Sequence, residues 1–330
     1  MQEMANSYRS IVEVLKFAEP KEVLIAVSET CAVWLKAANS NELWWDFCDL
    51  YGVMPCTDQD SGKTAFRVGD FDLKVSELPL VRPDSITRFS IPDLQKTHIL
   101  LSTPVTVNQF TAYCYLSLKR LLICGGGDPI GNNAYSIDLD SGLVTTLANM
   151  KLARRSHAAY KYRSSVYVFG GKQRNFLDSI EKYSISKDSW ELLPSHLANP
   201  MEAFVPARYR QDIYLVGSVF IEIFNIPSEV CRLFPLSLPQ NWYYSLPFIT
   251  KKGEIVIAQR DAILSCSVLA ERPIFTSASI ACIGNGSYWT TGTPVVYEEA
   301  IYSFQNTHGS IHGILRMDRC SLRKISNVRY

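Results

Sequence analysis

Short runs of β-branched and aromatic residues, divided by polar turn residues, recur along most of the chain. The clearest is Val166-Tyr-Val-Phe169, which runs straight into Gly170-Gly171. It is too short for a helix and apolar throughout, so it reads as a strand buried on both faces. The glycine pair ends it, marking a sharp exit where chains crowd and a Cβ would not fit. Ser179 to Ser186, with Ile180, Tyr183 and Ile185 among polar residues, predicts a second strand, and Lys187-Asp188-Ser189 a turn. Trp190 to Leu193 and, upstream, His157 to Tyr162 supply two more. The unit is a four-stranded antiparallel meander that cannot cover both its faces unaided.

It recurs. Leu121-Leu-Ile-Cys-Gly-Gly126 is followed by Ala134 to Leu139, Ile213 to Gly217 by Phe220 to Asn225, Glu254 to Ala258 by Ala262 to Ser265, and Ala300 to Phe304 by His312 to Met317. The anchors Cys124, Phe169, Val216, Ile257 and Phe304 set a period in the forties, while the glycine pair decays to Gly217-Ser218, Ala258-Gln259 and Phe304-Gln305. A strand-built repeat of this length predicts a mainly β chain folded as a β-propeller; helical repeats would need long stripes at helical period, which are missing. In this frame the tyrosine and tryptophan after the glycines pack between successive blades. A period of about 46 residues, applied from about residue 55 onward, gives six blades. Five remain if the chain before Arg82 is an extended connector. The weakly marked first blade would place Ile86 to Ile91 and Thr97 to Ser102 outside and Phe66 to Val75 inside.

The first fifty residues break this pattern. Ile11, Val14, Leu15 and Phe17 mark one helical segment. Val23, Leu24, Val27, Cys31, Trp34 and Leu35 follow helical steps after Pro20, which suits a first turn. Asn39-Ser-Asn41 breaks the run and Glu42 to Tyr51 restarts it as a third helix. Three such short helices bury little by themselves, so a partner or a docked domain is expected. The organisation expected is a helical domain at 1–52, a connector with possible inner strands at 53–85 and a propeller at 86–330.

Bulk properties narrow the classes. A net charge of +1, with no basic run, leaves no electrostatic footprint for nucleic acid or an anionic membrane. No apolar stretch is long enough to span a bilayer and the start lacks the pattern of a secretion signal. Nine cysteines without CxxC pairs point to reduced thiols, hence to the cytoplasm or nucleus.

Two resemblances follow from the residues already quoted. Arg154-x-x-His157-x-Ala159, the apolar run ending in Gly170-Gly171, then Tyr183 and Trp190 look like a kelch repeat, with the full pattern confined to Arg154 to Pro194. Ile11-Val-Glu-Val-Leu15, Pro20-Lys-Glu-Val-Leu24, Val27 to Trp34 with Cys31 between, Asn39-Ser-Asn41 and Leu43-Trp44 resemble an F-box, with Tyr8-Arg9-Ser10 where that family usually has Leu-Pro. The pair of resemblances implies an adaptor of a Skp-cullin-F-box ubiquitin ligase. Its helical segment would dock on a Skp-family adaptor and its propeller would hold a target protein. Val14, Leu15, Pro20, Val23, Leu24 and Val27 would be the docking anchors; Cys31, Trp34, Leu43, Trp44 and Phe47 would form the small domain's core.

In kelch-like propellers the loops entering each blade's first strand gather on one face. Carried over, this singles out Asn108, Gln109, Arg154, Arg155, Glu202, Asn241, Trp242, Tyr243, Tyr288 and Trp289 as the target face. Arginine mixed with tryptophan and tyrosine is the composition of a binding patch. A kelch-type scaffold without ubiquitination, cytoskeletal or signalling, fits the same residues. An enzyme in the propeller channel would need ionisable groups that the pattern does not specify. His308 and His312 lack a third ligand, Gly125-Gly-Gly-Asp128 lacks a phosphate-loop lysine, and no nucleophile elbow is present. The expectation is a non-enzyme with no metal and no cofactor.

Overall fold

The computed structural model describes Val53–Met54, Asp70–Phe71 and residues 75–327, except positions 92, 109, 163, 202–204, 218, 239–244, 251, 260–261, 280–293, 298–299, 308–309 and 318–321. The chain divides into two compact units, residues 1–74 and 75–330. In the first, strands β1 (Val53–Met54) and β2 (Asp70–Phe71) pair antiparallel. The three-helix reading of 1–52, with Val14, Leu15, Pro20, Val23, Leu24, Val27, Cys31, Trp34, Leu43, Trp44 and Phe47, lies outside the described residues.

The second unit is a ring of sheets. It begins with a three-stranded sheet of β3 (Glu77–Val81), β4 (Ser85–Ser90) and β5 (Lys96–Leu100). Five four-stranded antiparallel blades follow, each a simple meander. Blade A holds β6 (Ala112–Ser117), β7 (Arg120–Cys124), β8 (Ala134–Asp138) and β9 (Val144–Leu147). Blade B holds β10 (Ala158–Tyr162), β11 (Ser165–Phe169), β12 (Ser179–Ser184) and β13 (Ser189–His196). Blade C holds β14 (Val205–Tyr209), β15 (Asp212–Val216), β16 (Ile221–Asn225) and β17 (Val230–Leu233). Blade D runs from β18 (Leu246–Ile249) through β19 (Glu254–Gln259) and β20 (Ala262–Ser267) to β21 (Thr276–Ser279). Blade E runs from β22 (Val295–Tyr297) through β23 (Ala300–Thr307) and β24 (Ser310–Met317) to β25 (Leu322–Asn327).

First strands of neighbouring blades lie side by side, β6 by β10, β10 by β14 and β14 by β18, so they form the inner ring. The second strands carry the core: Leu121 to Cys124, Val166 to Phe169, Ile213 to Val216 and Ile255 to Ala258 are all buried. The fourth strands β9 and β17 face outward and are largely exposed. All five anchor residues read from the sequence therefore fall on second strands, and the strand after each is the expected one.

The blade count needs a correction. Six equal blades are not formed; five are four-stranded and the β3–β5 sheet has three strands. Ile86 of β4 packs with Tyr113, Leu121 and Ile137 of blade A, while Phe89 stands edge-on to Phe304 of blade E at 5.6 Å between ring centroids. The sheet thus touches both ends of the blade series. The strand inward of β4 is Glu77–Val81, held by the Tyr113 and Tyr115 hydroxyls donating to Pro79 O and Glu77 O. Of the 66–75 segment, the described Asp70–Phe71 pairs with Val53–Met54 and Val75 precedes β3, so neither belongs to a strand of that sheet; the rest of the segment lies outside the described residues.

The seam between blades A and B shows why the tyrosine and tryptophan follow the glycines. Tyr183 and Trp190 sit against each other at 4.9 Å and pack on Cys114, Leu122, Cys124 and Met150 of blade A. The Trp190 indole N–H donates to Ala148 O at 2.8 Å. Asp188, in a left-handed turn conformation (φ 45°), accepts from Ala148 N and from the Tyr183 hydroxyl. Asp tolerates that conformation because its short polar side chain can bond locally. Hydrophobic contact and two hydrogen bonds to Ala148 therefore fix one blade's outer half to its neighbour, with the Tyr183 hydroxyl steadying Asp188 from within blade B.

At Gly171 the reason for glycine is explicit. Its φ is +92°, and a Cβ there would stand 2.7 Å from Arg155 O and 2.8 Å from His157 Cβ. Its N–H donates to Met201 O in the loop entering blade C, so the chain crosses between two loops with no room for a side chain.

Candidate functional site

Strand pairing decides which loops share a face. Ala158 faces Phe169 across the β10–β11 ladder and Ala112 faces Cys124 across β6–β7, so in each blade the loop entering the first strand and the loop leaving the second emerge together. At the A–B seam this gathers residues 105–111, 125–133, 151–157 and 170–178. Main-chain hydrogen bonds stitch them: Ser156 N to Phe110 O, Gly126 N to Arg154 O, Arg154 N to Gly131 O, and a reciprocal pair between Arg155 and Lys172 at 2.9 and 3.0 Å.

Side chains then line up across the seam. The Arg155 guanidinium lies over the Phe110 ring at 5.3 Å and the Lys172 ammonium over Phe176 at 5.0 Å. Phe176 is 50% exposed, Arg174 is exposed beside it in sequence, and Lys151 is exposed at the start of the loop entering blade B. Arg155, Lys172 and Arg174 form no ion pair among the described residues, and Asp178 in the same loop faces the His196 imidazole at 3.3 Å. A cation on an aromatic face is worth about 0.5–1 kcal/mol when exposed, enough to hold its orientation while leaving N–H donors open.

Arg154 requires a correction. It is fully buried and serves the blade frame: it donates to Gly170 O at 2.7 Å and Ser179 O at 3.2 Å, and pairs with Glu181 at 2.6 Å. It offers nothing to a partner. Glu181, equally buried, also accepts from the backbone N–H of Lys151 and Leu152, so the pair sets the loop entering blade B. Asn108 is exposed, but its carboxamide oxygen accepts from Phe110 N and braces that turn. Gln109, Glu202, Asn241, Trp242, Tyr243, Tyr288 and Trp289 lie outside the described residues. Sequence reasoning passed over Lys172, Arg174 and Phe176. The polar run Lys-Gln-Arg-Asn-Phe after the glycine pair was the available signal, since that loop must return to the face the entering loop occupies.

Blade C repeats the carboxylate without the arginine. Glu222 on β16 accepts from Ala198 N at 2.9 Å and Asn199 N at 2.7 Å, as Glu181 does from its own loop. Met201 stands where Arg154 stands, its carbonyl bonded to Gly171 N as Arg154 O is to Gly126 N. Burial pushes the Glu222 carboxyl above its ordinary 4.5, partly offset by those N–H donors. A carboxyl raised on folding contributes stability in full below its unfolded value, and this is lost as pH rises through the folded one. Wild type is therefore expected to lose stability relative to Glu222→Gln as pH rises from about 4.5, in urea titrations at stepped pH. A pH-independent difference would count against this.

His157 and Cys124 meet at 3.5 Å between Nε2 and Sγ, both buried. Burial first, and then the Arg154 charge, push the imidazole well below its usual range. Burial likewise pushes the thiol well above its own. Both groups are neutral, so no thiolate–imidazolium nucleophile is formed there. Among the described residues no group of three or more His, Cys, Asp or Glu is placed to hold a metal, and no helix is long and apolar enough to cross a membrane.

A family model described as the Kelch motif matches residues 153–196, which is blade B with its entering loop. No curated protein matches the chain in sequence. Among 787 matching solved chains is one titled "Structure of YjhT", with a TM-score of 0.54 and 14% identity, covering 69% of this chain and 86% of that one. At that identity the likeness shows the fold alone, and a fold shared so widely selects no activity.

Proposed function

We propose that this chain, a kelch-type propeller with five four-stranded blades and a Kelch motif in the second, is a protein-binding module that engages its partner at the A–B loop face. Kelch propellers suggest protein–protein interaction in general. The observation that carries the reading here is the row of half-buried Arg155 and Lys172 with exposed Phe176, held in place yet unpaired by any carboxylate among the described residues. The other entering-loop residues named from the sequence, apart from buried Arg154, belong to the same proposal.

The finer reading is a substrate-recognition adaptor of a Skp-cullin-F-box ubiquitin ligase acting in the cytoplasm or nucleus. Its support is the sequence resemblance over Ile11 to Trp44, and its physical form is helix packing with Val23 and Leu24 filling a partner's groove. The test is binding of the purified full chain to a Skp-family adaptor, beside Val23→Asp/Leu24→Asp. Tight binding by wild type is expected, weakened at least about hundredfold in a variant that still melts cooperatively. No binding by folded wild type would overturn the ligase reading and leave a kelch-type scaffold. A channel enzyme is the weakest alternative: the buried Cys124–His157 contact at the A–B seam is neutral and offers no nucleophile.

A further inference from the structure

We infer that the seam row Phe110, Arg155, Lys172 and Phe176, with Arg174 at its loop tip, is the docking site for an extended acidic segment of a partner protein. This rests on the protein-binding reading above and names the chemistry of the partner.

Charge complementarity carries the argument. Arg155 and Lys172 meet from two adjoining loops with exposed Arg174 two residues further along, and none of the three is ion-paired among the described residues, whereas Lys182 has Glu229 and Glu191, Arg232 has Asp212, and Lys119 has Asp140. Surface charges left together without counter-ions repel one another, a cost that an incoming run of carboxylates removes. The row is also prepared for a chain. Arg155 and Lys172 are neighbours across a two-way main-chain bridge, and each rests on its own ring, so little side-chain freedom is lost on binding.

The flanking rings select a peptide over other anions. Phe110 and Phe176 sit at the two ends of the row, giving an extended segment apolar contacts outside its acidic centre. A single-stranded nucleic acid needs open ring faces in succession and a long basic track. Here each ring already carries a cation on one face, and the chain's net charge is only +1. A lone phosphate wants guanidinium and N–H donors converging on one point, whereas the backbone N–H groups of Arg155 and Lys172 are spent on each other.

The experiment is selection of random linear peptides on the full chain, repeated on Arg155→Glu/Lys172→Glu/Arg174→Glu and on Phe176→Ala, with thermal melting as the folding control. Peptides enriched on wild type are expected to carry runs of Asp and Glu and to bind more weakly with added salt. Affinity should fall about tenfold for each cation reversed and less for Phe176→Ala. The inference is overturned if no peptide is enriched, if the enriched peptides show no acidic bias, or if acidic ones bind the triple variant as tightly as wild type. It is equally overturned if only phosphoserine peptides bind, or if a mixed-sequence single-stranded oligonucleotide displaces the acidic peptide. Non-acidic peptides that ignore the triple variant would sink this site while leaving the protein-binding reading intact. Skp-adaptor binding is scored separately, so the two failures are told apart.

Discussion

Arg154→Met should lower the unfolding free energy by about 3–5 kcal/mol, the range for stripping one partner from a buried ion pair. Both side chains are without exposed surface, so no solvent replaces what is lost. The variant leaves the Glu181 carboxylate buried against only the Lys151 and Leu152 N–H groups, and it deprives Gly170 O and Ser179 O of their side-chain donor. Shape is not the issue, because blade C accommodates methionine at the matching place, with Glu222 in the role of Glu181. The variant should also acquire the pH dependence expected of blade C, losing further stability as pH rises. Urea denaturation at pH 5 and pH 8 reads both effects. A loss below about 1 kcal/mol, the scale of an exposed pair, would show that the arginine is dispensable to the frame.

Gly171→Ala should cost about 3 kcal/mol or more and disable the proposed peptide-binding row in the molecules that remain folded. The left-handed conformation alone costs an L-residue about 1–2 kcal/mol, and the added methyl must displace Arg155 O or the His157 side chain. Either shift falls on the loop whose two hydrogen bonds set Arg155 beside Lys172. Urea denaturation gives the first effect and acidic-peptide affinity of the folded variant the second. Wild-type stability, or lost stability with unchanged affinity, would each break one half of the expectation.

The repeat made most of the ring legible. Val166 to Phe169 and its counterparts are apolar on both faces because second strands are enclosed by neighbouring blades, and that pattern survives the decay of the glycines. Trp190 and Tyr183 were legible for a similar reason, since large aromatics at fixed offsets must pack somewhere repeated. In the β3–β5 sheet, β4 and β5 were legible as the outer strands of a weakly marked blade, but β3 was not, because Glu77-Leu-Pro-Leu-Val81 is short, holds a proline and lacks a glycine stop, and the chain before it gives the sheet no repeated anchor. Nor could composition separate Arg154 from Arg155. Adjacent in a chain entering a strand, they point opposite ways, and only Glu181 on a later strand decides which is swallowed. Lys172, Arg174 and Phe176 escaped because the exit loop was read as punctuation after a strand, although the β10–β11 pairing returns it beside the entering loop.

The stitching of the four seam loops has a consequence for how such a surface can change. The bonds that hold Phe110, Arg155 and Lys172 in register join main-chain atoms, which every residue type except proline supplies alike. Replacements at exposed surface positions usually shift stability by less than about 0.5 kcal/mol, so the lettering of the row can be rewritten while its page stays still. Arg154, Glu181 and Gly171 belong to the page and admit no such substitution. The seam thus divides labour between invariable typesetting and interchangeable type, an arrangement from which new partners can be reached one side chain at a time without refolding the blade.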